Sequence, residues 1–340
     1  MSTLSLAILG LGQYGASVGL ALRRYMRSNG KYQFKITGHG ANTDVEKQAL
    51  KLGVVDKVER RASDAVRGAD IVVMAMPFDE VRDTYGYIAG TMRAGAVVLD
   101  LSISKQPSIR WAAEALYEEQ HLVGMTPIIN PRYMYSVAAG MDEAREDLFD
   151  DGAILLTPAA NAMKEAVDLA FNFASLLGSQ PRVLEPVEHD QMLVLTEVLP
   201  ALLGTAYFFN LTQKPFWDDL QRFTNASFGA LTRPLFDIHP DAMRDLLLEN
   251  RESLTRGLDE LLGTLKGLRE ALASQDRSTI EAVTVNASEN YEKWVNKRTN
   301  NRWDDRAAAT KVDASNTMMG ALLGQSLARR LTGKKDQDES

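Results

Sequence analysis

Short apolar runs alternate with segments of helical periodicity along the first hundred residues of the chain. Residues 4–9 form an apolar run that suits a strand buried on both faces of a parallel sheet, and apolar positions with helical spacing follow over residues 16–26. The further strand candidates are residues 34–37, 55–58, 71–76 and 96–101, and the further helix candidates are residues 44–52, 63–66 and 79–92. Strands and helices in this order predict a parallel sheet with right-handed crossovers.

The second half of the chain is predicted to be helical after one more strand–helix–strand unit. Residues 152–158 and 181–184 flank a helix candidate at 162–177, and the unit ends near Pro186. Segments with a 3.6-residue apolar period follow at 187–211, 241–273 and 278–295, and a terminal helix candidate lies at 307–331. Their leucine repeats are typical of a core or of a contact between subunits. We predict an α/β domain over 1–186, an all-helical domain over 187–295 and a polar extension, partly disordered, over 296–340.

Composition narrows the class of protein. The 340 residues suffice for about two domains, and 45% hydrophobic and 24% charged residues are ordinary for a globular chain. The absence of cysteine excludes disulfides and thiolate sites, and no two of the four histidines have a metal-ligand spacing, so no metal is expected. A net charge of −7 disfavours nucleic acid and anionic membranes as partners.

The chain is expected in the cytoplasm. No apolar stretch in the sequence approaches the length of about 18 residues that a membrane span needs. The first residues lack the basic region and the cleavage site of a secretion signal.

The sharpest motif is Gly10-Leu11-Gly12-Gln13-Tyr14-Gly15, which stands between a predicted strand and a predicted helix. Gly10 allows a tight turn, Gly12 lets a pyrophosphate approach the backbone, and Gly15 lets helix and strand pack closely. The helix start then offers free N–H groups to the phosphates. We therefore predict a Rossmann-type dinucleotide site at this loop, the alternative being a plain glycine turn.

The end of the second strand lacks the carboxylate that binds the ribose of NAD in many such sites. The expected acidic position falls near Gly40, and no acid follows until Asp44. His39 and Asn42 are available to donate hydrogen bonds to a 2′-phosphate. This pattern favours NADP over NAD; the alternative is that both are turn residues and NAD binds without the acid.

The motifs, taken in order over about residues 4–295, resemble those of the prephenate/arogenate dehydrogenase family. The resemblance rests on the glycine motif with its flanks at 8–17, Gly53-Val-Val-Asp56, 69–77, Val97-Val-Leu-Asp100 with Ser104-Lys105, Leu148-Phe149 ahead of Leu155-Leu-Thr-Pro158, Glu188-His-Asp190, Leu199-Pro200 and Leu231-Thr-Arg233.

The resemblance implies a Rossmann-type domain followed by a helical domain that forms a homodimer. It implies that the chain oxidises prephenate or arogenate, a small molecule, with NAD(P) and releases CO2 in tyrosine biosynthesis. The hydroxyl on the ring must then lose its proton to a positioned acceptor, and cationic groups must hold the carboxylates. The resemblance implies that Ser102, Ser104, Lys105 and Thr126 line the reaction pocket and that Arg233 binds a substrate carboxylate. It implies that His189 belongs to the substrate or interdomain site and that Met76-Pro77 line the nicotinamide ribose.

The sequence departs from the family pattern at three polar positions. Ile103 occupies a position where the family has Ser, between Ser102 and Ser104, and Thr126 and Glu197 occupy positions where it has His. Threonine donates or accepts a hydrogen bond but is not a base near pH 7. Either another group such as Glu197 or His121 takes the proton, or the substrate needs only a hydrogen-bond partner, or the enzyme oxidises something else.

Alternative interpretations remain at each level. Two other functions are compatible with the sequence. One is another NAD(P)-dependent hydroxyacid dehydrogenase of the Rossmann-plus-helical type, and the other is a dinucleotide-binding protein without turnover. The alternative for His189 is a structural role, in which it caps the start of a helix and makes a hydrogen bond. The alternative for Arg233 is an ion pair at the end of a helix. Burial would raise the pKa of Glu197 and suit it to acid–base chemistry. The alternative is that Glu197 is a carboxylate at the surface of a helix or forms a salt bridge with Arg233.

Overall fold

Eight strands form one sheet in the computed structural model, which describes residues 2–28, 30–136 and 140–300. The strands are β1 (Ser2–Leu9), β2 (Tyr32–His39), β3 (Lys57–Val58), β4 (Ile71–Met74), β5 (Val97–Asp100), β6 (His121–Ile128), β7 (Ala153–Pro158) and β8 (Gln180–Val183). The helices among them are α1 (Gln13–Arg27), α2 (Thr43–Lys51), α3 (Ala62–Ala65), α4 (Phe78–Ala89), α5 (Lys105–Ala115) and α6 (Lys164–Leu176).

The strand order in the sheet is β3-β2-β1-β4-β5-β6-β7-β8. All neighbouring pairs are parallel except β6 and β7, which are antiparallel. The connection from β6 to β7 holds only the short 3₁₀ turns Pro131–Tyr133 and Met141–Glu143 in its described residues, and not the crossover helix that a parallel connection uses. The prediction of a Rossmann-type sheet domain followed by helices is confirmed, with this one reversal.

The core of the first unit lies on both faces of β1. Residues 6–9 of this strand are at most 1% exposed, which is the reason for its continuous apolar run. One face of α1 packs on the sheet through its buried positions, which include Val18 and Leu22. On the same core Phe34 meets Phe173 edge to face at 6.4 Å between ring centroids.

The topology places a crevice beside the carboxyl end of β1. The chain runs from β1 outward to β2 and β3 and then returns to β4 on the other side of β1. Ligands of open α/β sheets bind at such a switch point, outside the carboxyl ends of the strands. The ends of β1, β4, β5 and β6 therefore define the edge on which a site is expected.

The second compact unit is helical, with the first unit ending at His189 and the second beginning at Asp190. The boundary falls inside α7 (Pro186–Leu193). The elements that follow are a π-helical turn (Val194–Val198), α8 (Leu199–Thr212), α9 (Trp217–Leu220), α10 (Ala226–Thr232), α11 (Pro234–Asp237), α12 (Pro240–Glu249), α13 (Arg251–Ala273) and α14 (Arg277–Thr299). The region 241–273 thus forms two helices that meet at Asn250. Residue 296, the predicted start of the polar extension, lies inside α14, which continues to Thr299. The predicted helix 307–331 lies outside the described residues.

One continuous helical segment, Pro186–Thr212, contradicts the expectation that no stretch reaches the length of a membrane span. Its 27 residues are long and apolar enough to cross a membrane by length and composition alone. The segment also carries Glu188, Asp190 and Glu197. Its π-helical turn precedes Pro200, which has no N–H to donate to the carbonyl four residues earlier.

Candidate active site

The loop after β1 brings glycine backbone against the end of β4 and the start of α1. Gly10 has a φ of 91°, and a Cβ there would lie 2.2 Å from the carbonyl oxygen of Ala75, just beyond β4. A Cβ on Gly15 would lie 1.9 Å from the carbonyl oxygen of Gly10. No side chain fits at either position, so the spacing of the motif follows from backbone packed on backbone.

Open space borders Gly12, the N-cap residue of α1. Among the described residues, a Cβ on Gly12 would meet no heavy atom within 4 Å, and no side chain caps the helix. The first turn holds no acidic residue, so its N–H groups, which have no acceptor within the helix, and the positive end of the helix dipole are suited to an anion. These features fit the pyrophosphate of a dinucleotide.

The three remaining loop residues differ in what they can offer a coenzyme. Leu11 is 1% exposed and its side chain belongs to the core, so only its backbone faces the loop. Gln13 is half-buried, and Tyr14 is exposed. On the other side of the crevice Met76 is half-buried and Pro77 is exposed at the start of α4. The roles assigned to all five in coenzyme binding stay predictions.

The end of β2 is not without an acid, contrary to the expectation from the sequence. The carboxylate of Glu46, on α2, reaches the backbone of Gly40, whose N–H donates to Oε1 at 3.4 Å. His39 places Nδ1 3.0 Å from the carbonyl oxygen of Glu59. Asn42 caps α2, since its Oδ1 accepts from the N–H groups of the second and third following residues. The premise that favoured NADP, a strand end free of carboxylate, is therefore wrong.

The loop after β5 is tied together by the buried carboxylate of Asp100. Oδ1 accepts from the backbone N–H of Ser102 at 2.8 Å, and Oδ2 accepts from the hydroxyls of Ser102 and Ser108, both at 2.5 Å. Ser108 in turn accepts from the buried Tyr85 hydroxyl at 2.8 Å, and burial raises the pKa of Tyr85 well above its usual value. Ser102, a predicted catalytic residue, thus braces the loop, and Ser104 is buried at the start of α5.

Lys105 is fully buried, so it does not present its charge to a substrate pocket as expected. Its ammonium donates to the carbonyl oxygen of Asp100 at 2.8 Å, to that of Ser102, and to that of Met125 at 3.5 Å. A Cβ on Gly124 would lie 2.8 Å from Cδ of Lys105, so this glycine makes room for the lysine stem beside β6. Lys105 therefore positions the loop after β5 against β6.

Thr126 and His189 meet in the interior of the first unit. His189 Nε2 lies 2.8 Å from Thr126 Oγ1, and the two residues are 0% and 7% exposed. Thr126 follows the stretch of β6 that pairs with β5, so it lies at the carboxyl edge that the glycine loop also borders. The imidazole of His189 is therefore hydrogen-bonded to the hydroxyl of Thr126, the residue at the position where the family has the proton-accepting His.

His121 is a poor candidate for the proton acceptor. It opens β6 and pairs with Val97, at the amino ends of the strands. Five residues of extended chain separate it from Thr126, a distance of about 16 Å. Burial lowers the pKa of His121, which further disfavours its protonated form.

Glu197 lies in the π-helical turn of the second unit and is exposed. Desolvation by its apolar surroundings nevertheless raises the pKa of its carboxyl, the direction that suits a proton carrier. In the described residues Glu197 makes no ion pair with Arg233, so that alternative is not what the structure shows. Its predicted catalytic role stays a prediction.

Arg233, also in the second unit, forms the helix-end ion pair considered above. Its Nε donates to Asp237 Oδ2 at 2.8 Å, and its guanidinium lies 5.5 Å from the centroid of the Phe236 ring. Its two terminal nitrogens make no hydrogen bond to the described part of the chain. They retain the geometry to bind a carboxylate, which stays a prediction.

Two family models match the chain in consecutive segments. The nucleotide-binding domain of prephenate dehydrogenase matches residues 18–184, and the dimerization domain of prephenate dehydrogenase matches residues 185–284. The chain belongs to the prephenate dehydrogenase family. This prephenate dehydrogenase family member is accordingly an oxidoreductase with a nicotinamide-dinucleotide-binding domain, and the predicted family and enzyme class are confirmed.

Individual relatives agree with this assignment. The chain is 26% identical over 273 residues to the cyclohexadienyl dehydrogenase of Zymomonas mobilis, a match that covers 80% of this chain and 89% of that protein. It is 23% identical over 278 residues to the prephenate dehydrogenase of Bacillus subtilis, covering 81% and 72%. The crystal structure of prephenate dehydrogenase from Aquifex aeolicus in complex with hydroxyphenyl propionate and NAD+ has the same fold, with a TM-score of 0.72, 21% identity, and coverage of 86% of this chain and 99% of that one.

Sequence reasoning missed three residues that this family member places at the site. Glu46 is a charged residue on the same face of α2 as the buried Ala49, and a charge on a buried helix face is the signal that could have identified it. Ser108 and Tyr85 share the hydrogen-bond network of Asp100 but lie on different helices, and no spacing in the sequence links them.

Proposed function

We propose that the chain catalyses the oxidative decarboxylation of prephenate or arogenate, as a step of tyrosine biosynthesis. The observation that carries the proposal is the buried hydrogen bond between Thr126 and His189 at the edge of the coenzyme-binding sheet. The names of the relatives from Zymomonas mobilis and Bacillus subtilis support the substrate class. The hydroxyphenyl ligand of the Aquifex aeolicus enzyme supports a ring hydroxyl as the group that the site receives.

The coenzyme fits the residues of the glycine loop. The first turn of α1 receives the pyrophosphate, Gly10 and Gly15 hold the loop close to β4, and Met76 and Pro77 border the nicotinamide end. The bound nicotinamide supplies the acceptor for the hydride that leaves the ring carbon bearing the hydroxyl. NAD+ and NADP+ share the parts that this loop contacts, so the choice between them falls to the end of β2.

The hydroxyl proton leaves through Thr126 to His189. Thr126 Oγ1 accepts the hydrogen bond of the substrate hydroxyl and donates its own proton to His189 Nε2, which requires the tautomer with the proton on Nδ1. An imidazole takes up a proton near neutral pH, whereas a threonine hydroxyl does not. When CO2 departs and the ring becomes aromatic, the phenolate oxygen takes the proton back along the same path, so His189 ends each turnover unchanged.

The proposed reaction is tested by steady-state turnover of the full chain. We expect reduced nicotinamide to form when either NAD+ or NADP+ is mixed with prephenate or arogenate, with one equivalent of CO2 released per reduced coenzyme. A panel of simple 3-hydroxy acids should give no turnover, which separates the proposal from a general hydroxyacid dehydrogenase. Coenzyme binding without turnover on either cyclohexadienyl acid would contradict the proposal and favour a binding protein.

The proposal includes a homodimer formed through the helical unit. The match to a dimerization domain supports it, and so do large aromatic side chains that the second unit leaves exposed, among them Phe209, Phe223 and Phe236. We expect sedimentation equilibrium to give twice the mass of one chain over the micromolar range. The mass of a single chain at every concentration would contradict this part.

A further inference from the structure

A carboxylate stands beside the end of β2 although β2 itself supplies none. We infer that Glu46 is the acceptor for the hydroxyls of the adenosine ribose and that it makes the chain prefer NAD+ to NADP+. The inference rests on the coenzyme half of the proposed function alone and is independent of the substrate that the chain oxidises.

The position of Glu46 relative to the glycine loop is fixed by two short connections. Gly10 N–H donates to the carbonyl oxygen of His39 at 2.9 Å, which joins the loop to the last residue of β2. The next residue, Gly40, donates its own N–H to Glu46 Oε1 at 3.4 Å. The carboxylate is thus one residue away from the loop that receives the pyrophosphate, on the side where the adenosine ribose lies in this fold.

The stem of Glu46 fills the space that a side chain at position 40 would use. A Cβ on Gly40 would lie 3.2 Å from Cγ of Glu46 and 3.1 Å from Cγ1 of Val45. Helix α2 therefore delivers to the strand end the carboxylate that the strand does not carry. Because the fit is tight, Gly40 and Glu46 act as a pair, and an acid at position 40 would crowd the one already present.

Glu46 retains acceptor capacity for a ligand. It is 8% exposed as a residue, and in the described residues only Oε1 receives a hydrogen bond. Oε2 makes no hydrogen bond in the described residues, and the side chain keeps 10% of its surface exposed. A ribose diol can donate to this oxygen, and a charge-assisted bond of this kind is stronger than one between neutral groups.

The same carboxylate opposes a 2′-phosphate. A phosphate at that position brings between about −1.5 and −2 further charge to the oxygen that the diol would meet. The groups that could favour a phosphate are the imidazole of His39, whose Nδ1 lies 3.8 Å from Oε1, and the exposed Arg60 and Arg61, which follow β3 in the chain. In the described residues Glu46 contacts the strand end and is buried, whereas Arg60 and Arg61 are exposed and make no hydrogen bond or ion pair with it. We therefore expect the charge of Glu46 to decide the preference.

The test is a calorimetric titration of the full chain with NAD+ and with NADP+ in the absence of substrate, which gives a dissociation constant for each coenzyme. We expect NAD+ to bind at least about tenfold more tightly than NADP+. Glu46→Gln keeps the shape of the side chain and removes its charge, and it should bring the two dissociation constants to within about threefold of each other. Asp44→Asn is the matched control: it removes a carboxylate from the first turn of the same helix at a fully exposed position, and we expect the preference to stay unchanged.

Three results would overturn the inference. NADP+ binding more tightly than NAD+ to the unmodified chain needs no variant and assigns the preference to His39, Arg60 or Arg61. A preference unchanged in a folded Glu46→Gln variant shows that the carboxylate does not contact the ribose. Equal changes in Glu46→Gln and Asp44→Asn reduce the effect to overall charge. Because coenzyme binding is measured without substrate, NAD+ preference in a chain that turns over neither acid would leave this inference standing and remove only the proposed reaction.

Discussion

Replacing Thr126 with valine is expected to lower kcat by about 10²–10⁴-fold. Valine keeps the shape of threonine but removes the oxygen that accepts the substrate proton and the O–H that donates to His189. Without that link the imidazole lies one side chain too far from the reacting hydroxyl. Because Thr126 is not part of the glycine loop, the dissociation constant of the coenzyme should change by less than about threefold. Steady-state kinetics together with a coenzyme titration measure both quantities.

Two further variants control this prediction. Thr126→Ser keeps the hydroxyl and should retain most of the activity. Thr157→Val, on the neighbouring β7, removes a buried hydroxyl whose Oγ1 has no hydrogen-bond partner in the part of the chain that the structure describes, so it should leave kcat unchanged. If Thr126→Val retains kcat within about threefold of the unmodified chain, the hydroxyl takes no part in the proton transfer.

Replacing Lys105 with methionine is expected to destabilise the sheet unit by about 3 kcal/mol. Methionine matches the stem of lysine but leaves the carbonyl oxygens of Asp100, Ser102 and Met125 without their shared donor. The buried Asp100 carboxylate also loses the cation held in its own loop. The midpoint of urea unfolding, followed by circular dichroism, measures the change.

The control for this variant is Lys51→Met, at the exposed end of α2, which should change stability by less than about 0.5 kcal/mol. We further expect Lys105→Met to lower kcat more than it weakens coenzyme binding, since the loop after β5 shifts against Thr126 on β6. Equal stability of the Lys105→Met variant and the unmodified chain would show that the ammonium is not needed to hold the loop.

The coenzyme edge of the fold could be predicted from the sequence because several local signals coincide there. The spacing of Gly10, Gly12 and Gly15 has meaning only between a buried strand and a helix, and the apolar run of β1 and the periodicity of α1 supply both. Backbone geometry leaves no choice of side chain at two of these positions, so the motif and its structure are nearly equivalent.

The reversal of β7 could not be predicted from the rhythm of strands and helices alone. A parallel connection from β6 to β7 would need a crossover, and the strand–helix rhythm elsewhere in the sequence does not show that this connection has none. Turn chemistry in the described part of that segment, such as the cap that Asn130 forms for Arg132 N–H, is too local to fix the direction of a strand.

The chemistry of the site depends on pairs that are distant in sequence. Thr126 and His189 are separated by 63 positions and meet only because α7 returns to the sheet after β8. The family resemblance implies a place in the substrate pocket for Lys105, but the carbonyl groups that surround its ammonium belong to three separate residues whose approach the sequence does not show. In both cases the residues were identified and their partners were not.

Thr126 and His189 are expected to act together as one proton acceptor, and a double-mutant cycle measures their coupling directly. His189→Gln keeps a hydrogen-bonding side chain but cannot take up a proton. We expect Thr126→Val, His189→Gln and the double variant to lower kcat by nearly the same factor, because either change alone interrupts the path. If all three variants remain folded and the losses of the two single variants instead multiply in the double variant, the two residues act independently and do not form one proton path.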